Sequence, residues 1–132
     1  MTKASIDTNV ILRLLLNDIP EQHEKAKRLI QKPGSSFQVS DTAIIELVFV
    51  LERHYEFARA QIREAVDALA TITNISFNKN LMNKALSVYI GHPKLSFEDC
   101  YLVSAAVEQQ AIPLWTFDKK LASQNEYAQI VP

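Results

Sequence analysis

The chain is 132 residues long, 48% apolar and 22% charged, with a formal net charge of −1. That balance excludes a disordered chain and leaves room for one ordinary domain, residues 1–132, rather than two. A pI near 6.3 removes the broad electrostatic case for a nucleic-acid binder, so any such role must rest on a local site.

The single cysteine, Cys100, forms no internal disulfide and suits a reducing, cytoplasmic setting; no Cys/His spacing resembles a zinc site. The chain reaches Asp7 before any long apolar stretch develops, so neither a signal peptide nor a membrane span is expected. Gly34 and Gly91 are the only glycines, too few for a dinucleotide or Walker phosphate cradle.

In chain order, Ala4 to Asp7 reads as a strand running into an almost wholly apolar helix, Val10 to Leu16. Pro20 opens a second helix to about Gln31, with Ala26, Leu29 and Ile30 inward and Glu21/Lys25 and Glu24/Arg28 paired outside. A short strand over Phe37 to Val39 precedes a helix from Asp41 to His54, whose stripe is Ile44, Leu47, Val48 and Leu51. A helix over Ala58 to Ala70, a strand over Asn74 to Phe77 and a helix over Asn80 to Ile90 continue the alternation. Ser96 to Gln110 forms a long helix with Leu102, Val103, Ala106 and Val107 inward. A strand over Pro113 to Phe117, a short helix near Leu121 and a strand near Ala128 to Val131 complete the chain. Strands separated by helices predict a three-layer α/β/α sandwich around a mainly parallel sheet of about five strands. In such sheets the functional crevice lies beyond the carboxyl ends of the strands.

Four acids draw the eye to that edge. Asp7 closes the first strand and is followed by Thr8 and Asn9; Asp118 closes the strand through Phe117, with Thr116 two residues before it. Both suit helix caps, and Ser96-Phe-Glu-Asp99 has the spacing of a capping box. Glu46 is the only charge between Ala43 and Leu51 and shares its helix face with Phe49 and Val50, which points it inward. Two carboxylates about 4 Å apart repel by roughly 4 kcal/mol at an effective dielectric near 20, so converging acids require protons or a cation. Oxygen-only ligands select a hard ion such as Mg²⁺ or Mn²⁺, whose waters can be polarised to attack phosphorus.

Asp7-Thr8-Asn9-Val10, Glu46-Leu47-Val48 within an apolar helix, Asp99 in Glu98-Asp-Cys-Tyr-Leu-Val-Ser-Ala-Ala106, and Thr116-Phe117-Asp118 together resemble the ordered signature of PIN-domain proteins. Size and pattern are similar to the VapC-like toxins of toxin–antitoxin pairs. The resemblance implies a metal-dependent endoribonuclease held inactive by a cognate antitoxin. It implies Asp7 and Asp99 as principal Mg²⁺ or Mn²⁺ ligands, Glu46 and Asp118 completing the acidic cluster, and Thr8, Asn9 and Thr116 supporting it. Arg13, Lys119 and Lys120 are candidates for RNA phosphates, while Trp115 and Phe117 are expected to pack within a strand. His23, His54 and His92 read as surface or loop residues.

A haloacid-dehalogenase-like phosphatase would need a second Asp where Asn9 stands, and a receiver domain would need a middle-strand Asp that neither Val39-Ser40 nor Phe77-Asn78 provides. A PIN-like module that binds partners with little nuclease activity is the remaining alternative. The apolar stretches Val10 to Leu16 and Ile44 to Leu51 exceed an obvious core requirement and suggest a homodimer or an antitoxin contact. With the four site acids set aside, eleven acids face fourteen bases, so the −1 average is compatible with an acidic pocket on a mildly basic body.

Overall fold

The computed structural model describes residues 2–132. Two compact units divide the chain, the first ending at Asn78 and the second spanning Lys79–Pro132.

In the first unit, β1 (Thr2–Ser5) leads into α1 (Thr8–Leu15) and α2 (Pro20–Ile30), then β2 (Ser35–Gln38), α3 (Asp41–Arg53), α4 (Arg59–Ala70) and β3 (Ile75–Ser76). β1 and β2 are each followed by a helix pair, long enough to return the chain to the same end of the sheet, so both pairings are parallel. The order is β1-β2-β3, with Ala4 opposite Phe37 and Phe37 opposite Ile75. Local chemistry sets the boundaries. Pro20 occupies the first turn of α2, where its missing N–H costs no bond, and Gly34 takes φ +77°, which L side chains rarely adopt, in the turn to β2. Ser40 caps α3, its Oγ accepting from the Ala43 N–H at 3.2 Å. Asn74 ties the turn before β3 to the α2–β2 connection, its Nδ2 donating to the carbonyls of Ile30 at 2.8 Å and Ser35 at 3.2 Å.

The stripe expected on α3 forms the heart of this core: Ile44, Leu47, Val48 and Leu51 are fully buried, alongside Ile11, Ile62 and Leu69. These residues are consumed by the unit itself, so the Ile44 to Leu51 stretch is not surplus apolar surface. Phe49 is its exception, 56% exposed beneath the Arg53 guanidinium at 5.7 Å from the ring centre. Leu29, expected inward, lies on the edge of α2 and is exposed. Glu21 and Lys25 pair at 3.4 Å as the four-residue spacing predicts.

In the second unit, α5 (Lys79–Gly91) packs on α6 (Phe97–Glu108), followed by β4 (Leu114–Thr116), α7 (Lys119–Gln124) and β5 (Ala128–Ile130). Met82, Leu86, Leu95 and Cys100 are buried, and Tyr89 meets Phe97 edge to face at 5.5 Å and 86°. β4 and β5 pair in parallel, Leu114 opposite Ala128, with α7 as the crossover. Val103 and Ala106 of α6 are buried as expected, whereas Leu102 and Val107 are exposed.

The α/β class and the parallel strands are therefore as the alternation predicts. Among the described residues, the strands register as a three-stranded sheet in the first unit and a two-stranded sheet in the second. No helix among the described residues is long and apolar enough to cross a membrane.

Candidate functional site

Asp7 sits between β1 and α1 in extended conformation and caps the helix: its Oδ1 accepts from the Val10 N–H at 3.0 Å. This bond fixes one carboxylate oxygen and leaves the other for a ligand. Thr8, the next residue, is buried, and its hydroxyl donates to the Ala43 carbonyl at 3.0 Å while lying 3.5 Å from Glu46 Oε2. A hydroxyl has one proton, so the shorter contact takes it and the longer one sets the distance between α1 and the Glu46 carboxylate.

Glu46 is exposed rather than inward as its helical neighbours suggested. Phe49, on the same face, is itself exposed, so that face of α3 does not enter the core. Glu46 instead borders an open cavity of about 380 Å³ lined by Ser5, Ile6, Asp7, Thr8, Ser40, Thr42, Ala43 and Glu46. This cavity lies at the carboxyl ends of β1 and β2, the crevice edge of a parallel sheet. The sequence reading overlooked Ser40 and Thr42. Their signal was available, because a serine directly after a strand and three residues before Ala43 is a cap at that edge.

Asn9 faces elsewhere, into a groove of about 290 Å³ between α1 and α2 that Val10, Arg13, Gln22, Lys25, Ala26 and Leu29 also line. Arg13 is held in a clamp. Its guanidinium donates to Asp18 Oδ1 at 3.1 Å and to the Tyr55 hydroxyl at 2.9 Å, and Tyr55 donates to Asp18 Oδ2 at 2.7 Å. The Tyr55 hydrogen bond, reinforced by the Arg13 charge, holds the Asp18 carboxyl below its ordinary range. His23 Nδ1 lies 2.8 Å from the Arg13 carbonyl, so this histidine also serves the helix junction.

In the second unit, Asp99 stands in the first turn of α6, where its N–H donates to Ser96 Oγ at 3.2 Å. Asp118 caps α7: its Oδ1 accepts from the N–H groups of Lys120 at 2.9 Å and Leu121 at 3.1 Å, and its own N–H donates to Thr116 Oγ1 at 2.9 Å. Thr116 thus orients the peptide that carries the acid. Lys119 and Lys120 are exposed. So are Trp115 and Phe117, which do not pack within the strand as expected.

The donor set fits a hard divalent ion in kind. The cavity of the first unit offers two carboxylates and hydroxyl oxygens, with no nitrogen or sulfur ligand. Mg²⁺ is typically held by one or two carboxylates while keeping several waters and meeting substrate phosphate. Within neither unit do three His, Cys, Asp or Glu side chains of the described residues form a group that could hold an ion by themselves.

Carboxylates at the carboxyl ends of parallel strands stand at the crevice edge where α/β folds bind their ligands. The PIN domain model matches residues 4–126, and the chain belongs to the PIN domain family. PIN domains are generally nucleases, and those nucleases generally use divalent metals. Among curated proteins, none matches the chain.

Proposed function

We propose that the chain is a Mg²⁺- or Mn²⁺-dependent endoribonuclease that hydrolyses RNA phosphodiester bonds, acting as the toxin of a cytoplasmic toxin–antitoxin pair. The observation that carries this reading is the pairing of Asp7 and Glu46 around one hydroxyl-lined cavity in a chain of the PIN family. Asp7, Glu46, Asp99 and Asp118 are the acids on which activity depends, with Asp7 and Asp99 as principal metal ligands.

A bound divalent ion supplies charge neutralisation at the phosphate and lowers the pKa of a water. The residues of the chain supply order. Asp7 is held by its bond to Val10, so its carboxylate needs no rearrangement to present Oδ2. Thr8 bridges α1 and α3, fixing the span across which Asp7 and Glu46 face the cavity. Thr116 and the first turn of α7 hold Asp118 by the same device. With no histidine among the cavity residues, proton transfer at this site falls to carboxylate and water. Arg13, engaged by Asp18 and Tyr55, shapes the groove edge; a direct role at phosphate requires those bonds to open.

A protein partner such as an antitoxin finds support in the α1–α2 groove, whose floor is Val10, Ala26 and Leu29. Exposed Phe49 supports a homodimer.

Purified chain is expected to cut RNA with Mg²⁺ or Mn²⁺ and to stop on EDTA addition. Asp99→Asn is expected to lower cleavage by more than about 100-fold, beyond the range typical of groups that only support a ligand. Undiminished cleavage by Asp99→Asn would refute the assignment. Growth arrest on expressing the native chain, absent with Asp99→Asn, tests the toxin role; harmless expression of a chain active in vitro would refute it.

A further inference from the structure

We propose that Trp115 and Phe117 form a base-stacking platform that, with Lys119 and Lys120, seats single-stranded RNA beside Asp118. The inference rests on the reading of the chain as an RNA-cleaving enzyme.

Trp115 is 54% exposed and Phe117 is 81% exposed. The two rings flank Thr116 at the end of β4, Trp115 within the strand and Phe117 in the bend that follows it. Aromatic rings left in water forgo a large burial gain, and adjacent exposed rings mark a contact surface. Phe117 directly precedes Asp118, so a strand seated on its ring runs beside that acid. Lys119 and Lys120 follow at once, both exposed, and Asp118 is the only acid between Gln109 and Asn125. Exposed aromatic rings followed by cations match the two recurring elements of single-strand binding, stacking and backbone attraction.

The other occupants fit less well. A two-fold contact between copies would set the lysine pair of one against the same basic edge of the other. A protein partner would have to supply acid at that edge as well as apolar surface, whereas RNA carries both a phosphate row and π-faces in every nucleotide.

Trp115 is the chain's sole tryptophan, so its emission reports on this position alone. The test uses full-length Asp99→Asn protein with Mg²⁺, titrated with a single-stranded RNA of about ten nucleotides and, separately, with inorganic polyphosphate. Saturable quenching by RNA and none by polyphosphate is expected. Phe117→Ala is expected to weaken RNA binding about 5- to 150-fold, with Phe117→Tyr restoring it. Replacing Lys119 and Lys120 by Ala is expected to flatten the log–log salt dependence by about 1.4, twice the single-strand value of about 0.7 per phosphate. Unchanged Trp115 emission while fluorescence anisotropy shows RNA binding overturns the platform, as does emission that follows protein concentration rather than RNA. Native chain that cuts RNA with Trp115 silent removes the platform and leaves the nuclease. Quenching in a native chain that cuts nothing removes the nuclease and leaves the platform.

Discussion

Replacing Asp7 by Asn and, separately, by Ala divides the two jobs of this side chain. Oδ1 caps α1 through the Val10 N–H, a neutral acceptor's task that an asparagine carbonyl performs as well; a charged oxygen facing the cavity is what Asn lacks. Asp7→Ala removes both, and loss of an N-cap costs about 1 kcal/mol. Unfolding entropy near 2.1 cal/mol/K per residue over 132 residues amounts to about 0.28 kcal/mol/K, so that loss lowers Tm by about 3.6 °C if the chain melts as one. If the first unit, ending at Asn78, melts separately, the same loss lowers its Tm by about 6 °C. Asp7→Asn should leave Tm unchanged or raise it slightly, because one of two carboxylates at the cavity is gone. Scanning calorimetry of the three proteins without metal, beside RNA cleavage with Mg²⁺, separates the effects: Asn stable and inactive, Ala less stable and inactive. An Asn variant destabilised as much as Ala refutes the capping argument. An Asn variant that still cuts RNA refutes the ligand role.

Thr8→Val keeps shape but removes the buried donor to the Ala43 carbonyl, which is expected to cost about 1 kcal/mol and to reduce cleavage by loosening α1 against α3, while Thr8→Ser retains most of both; denaturant melts and initial rates check this. Leu47→Ala, at a fully buried position of α3, should destabilise by about 2 to 5 kcal/mol in urea titrations of the first unit. Asp18 titrates below its ordinary range in the folded chain, so its contribution is present above the unfolded value and is lost as pH falls through the depressed one. Tyr55→Phe removes the principal cause, and carboxyl NMR should show Asp18 moving upward, with acid unfolding beginning at higher pH.

Order and type of every element were legible because the local signals were strong: Ser96 before a helix, Pro20 in a first turn, Pro33-Gly34 after a helix, and short apolar runs between them. The stripe of α3 was legible residue by residue, since four residues at helical spacing occupy one narrow face. Leu29 and Leu102 were not, because they lie at the edges of their stripes, where periodicity alone does not say how wide the covering surface is, and Val107 was not because it lies in the last turn of α6, beyond the covered length of its stripe. Glu46 was misplaced for the same reason, its supposed burial having rested on that of Phe49 and Val50, of which the first is exposed and the second only half-buried. Strand pairing is a long-range property, and the division into three and two strands had no local signature. Nor did the exposure of Trp115 and Phe117, because apolar residues in a strand imply burial only where something covers that face.

For Asp7 and Asp118, capping and the proposed ligation are compatible rather than competing explanations. A sequence reading treats Asp7 and Asp118 as either caps or ligands, since one residue at a strand exit satisfies both descriptions. A carboxylate has two oxygens, and in each residue the capping bonds fall on Oδ1. The cap therefore supplies what a ligand needs: a carboxylate already oriented by the backbone at the carboxyl end of a parallel strand. Helix N-termini also favour negative charge, so the acid tolerates its position before any cation arrives. Such sites should thus fold without metal, and the native chain should show the same Tm with EDTA as with Na⁺ alone, rising when Mg²⁺ is added in excess of its dissociation constant. A chain that unfolded on chelation would place the ion in the fold itself and reverse this order of cause.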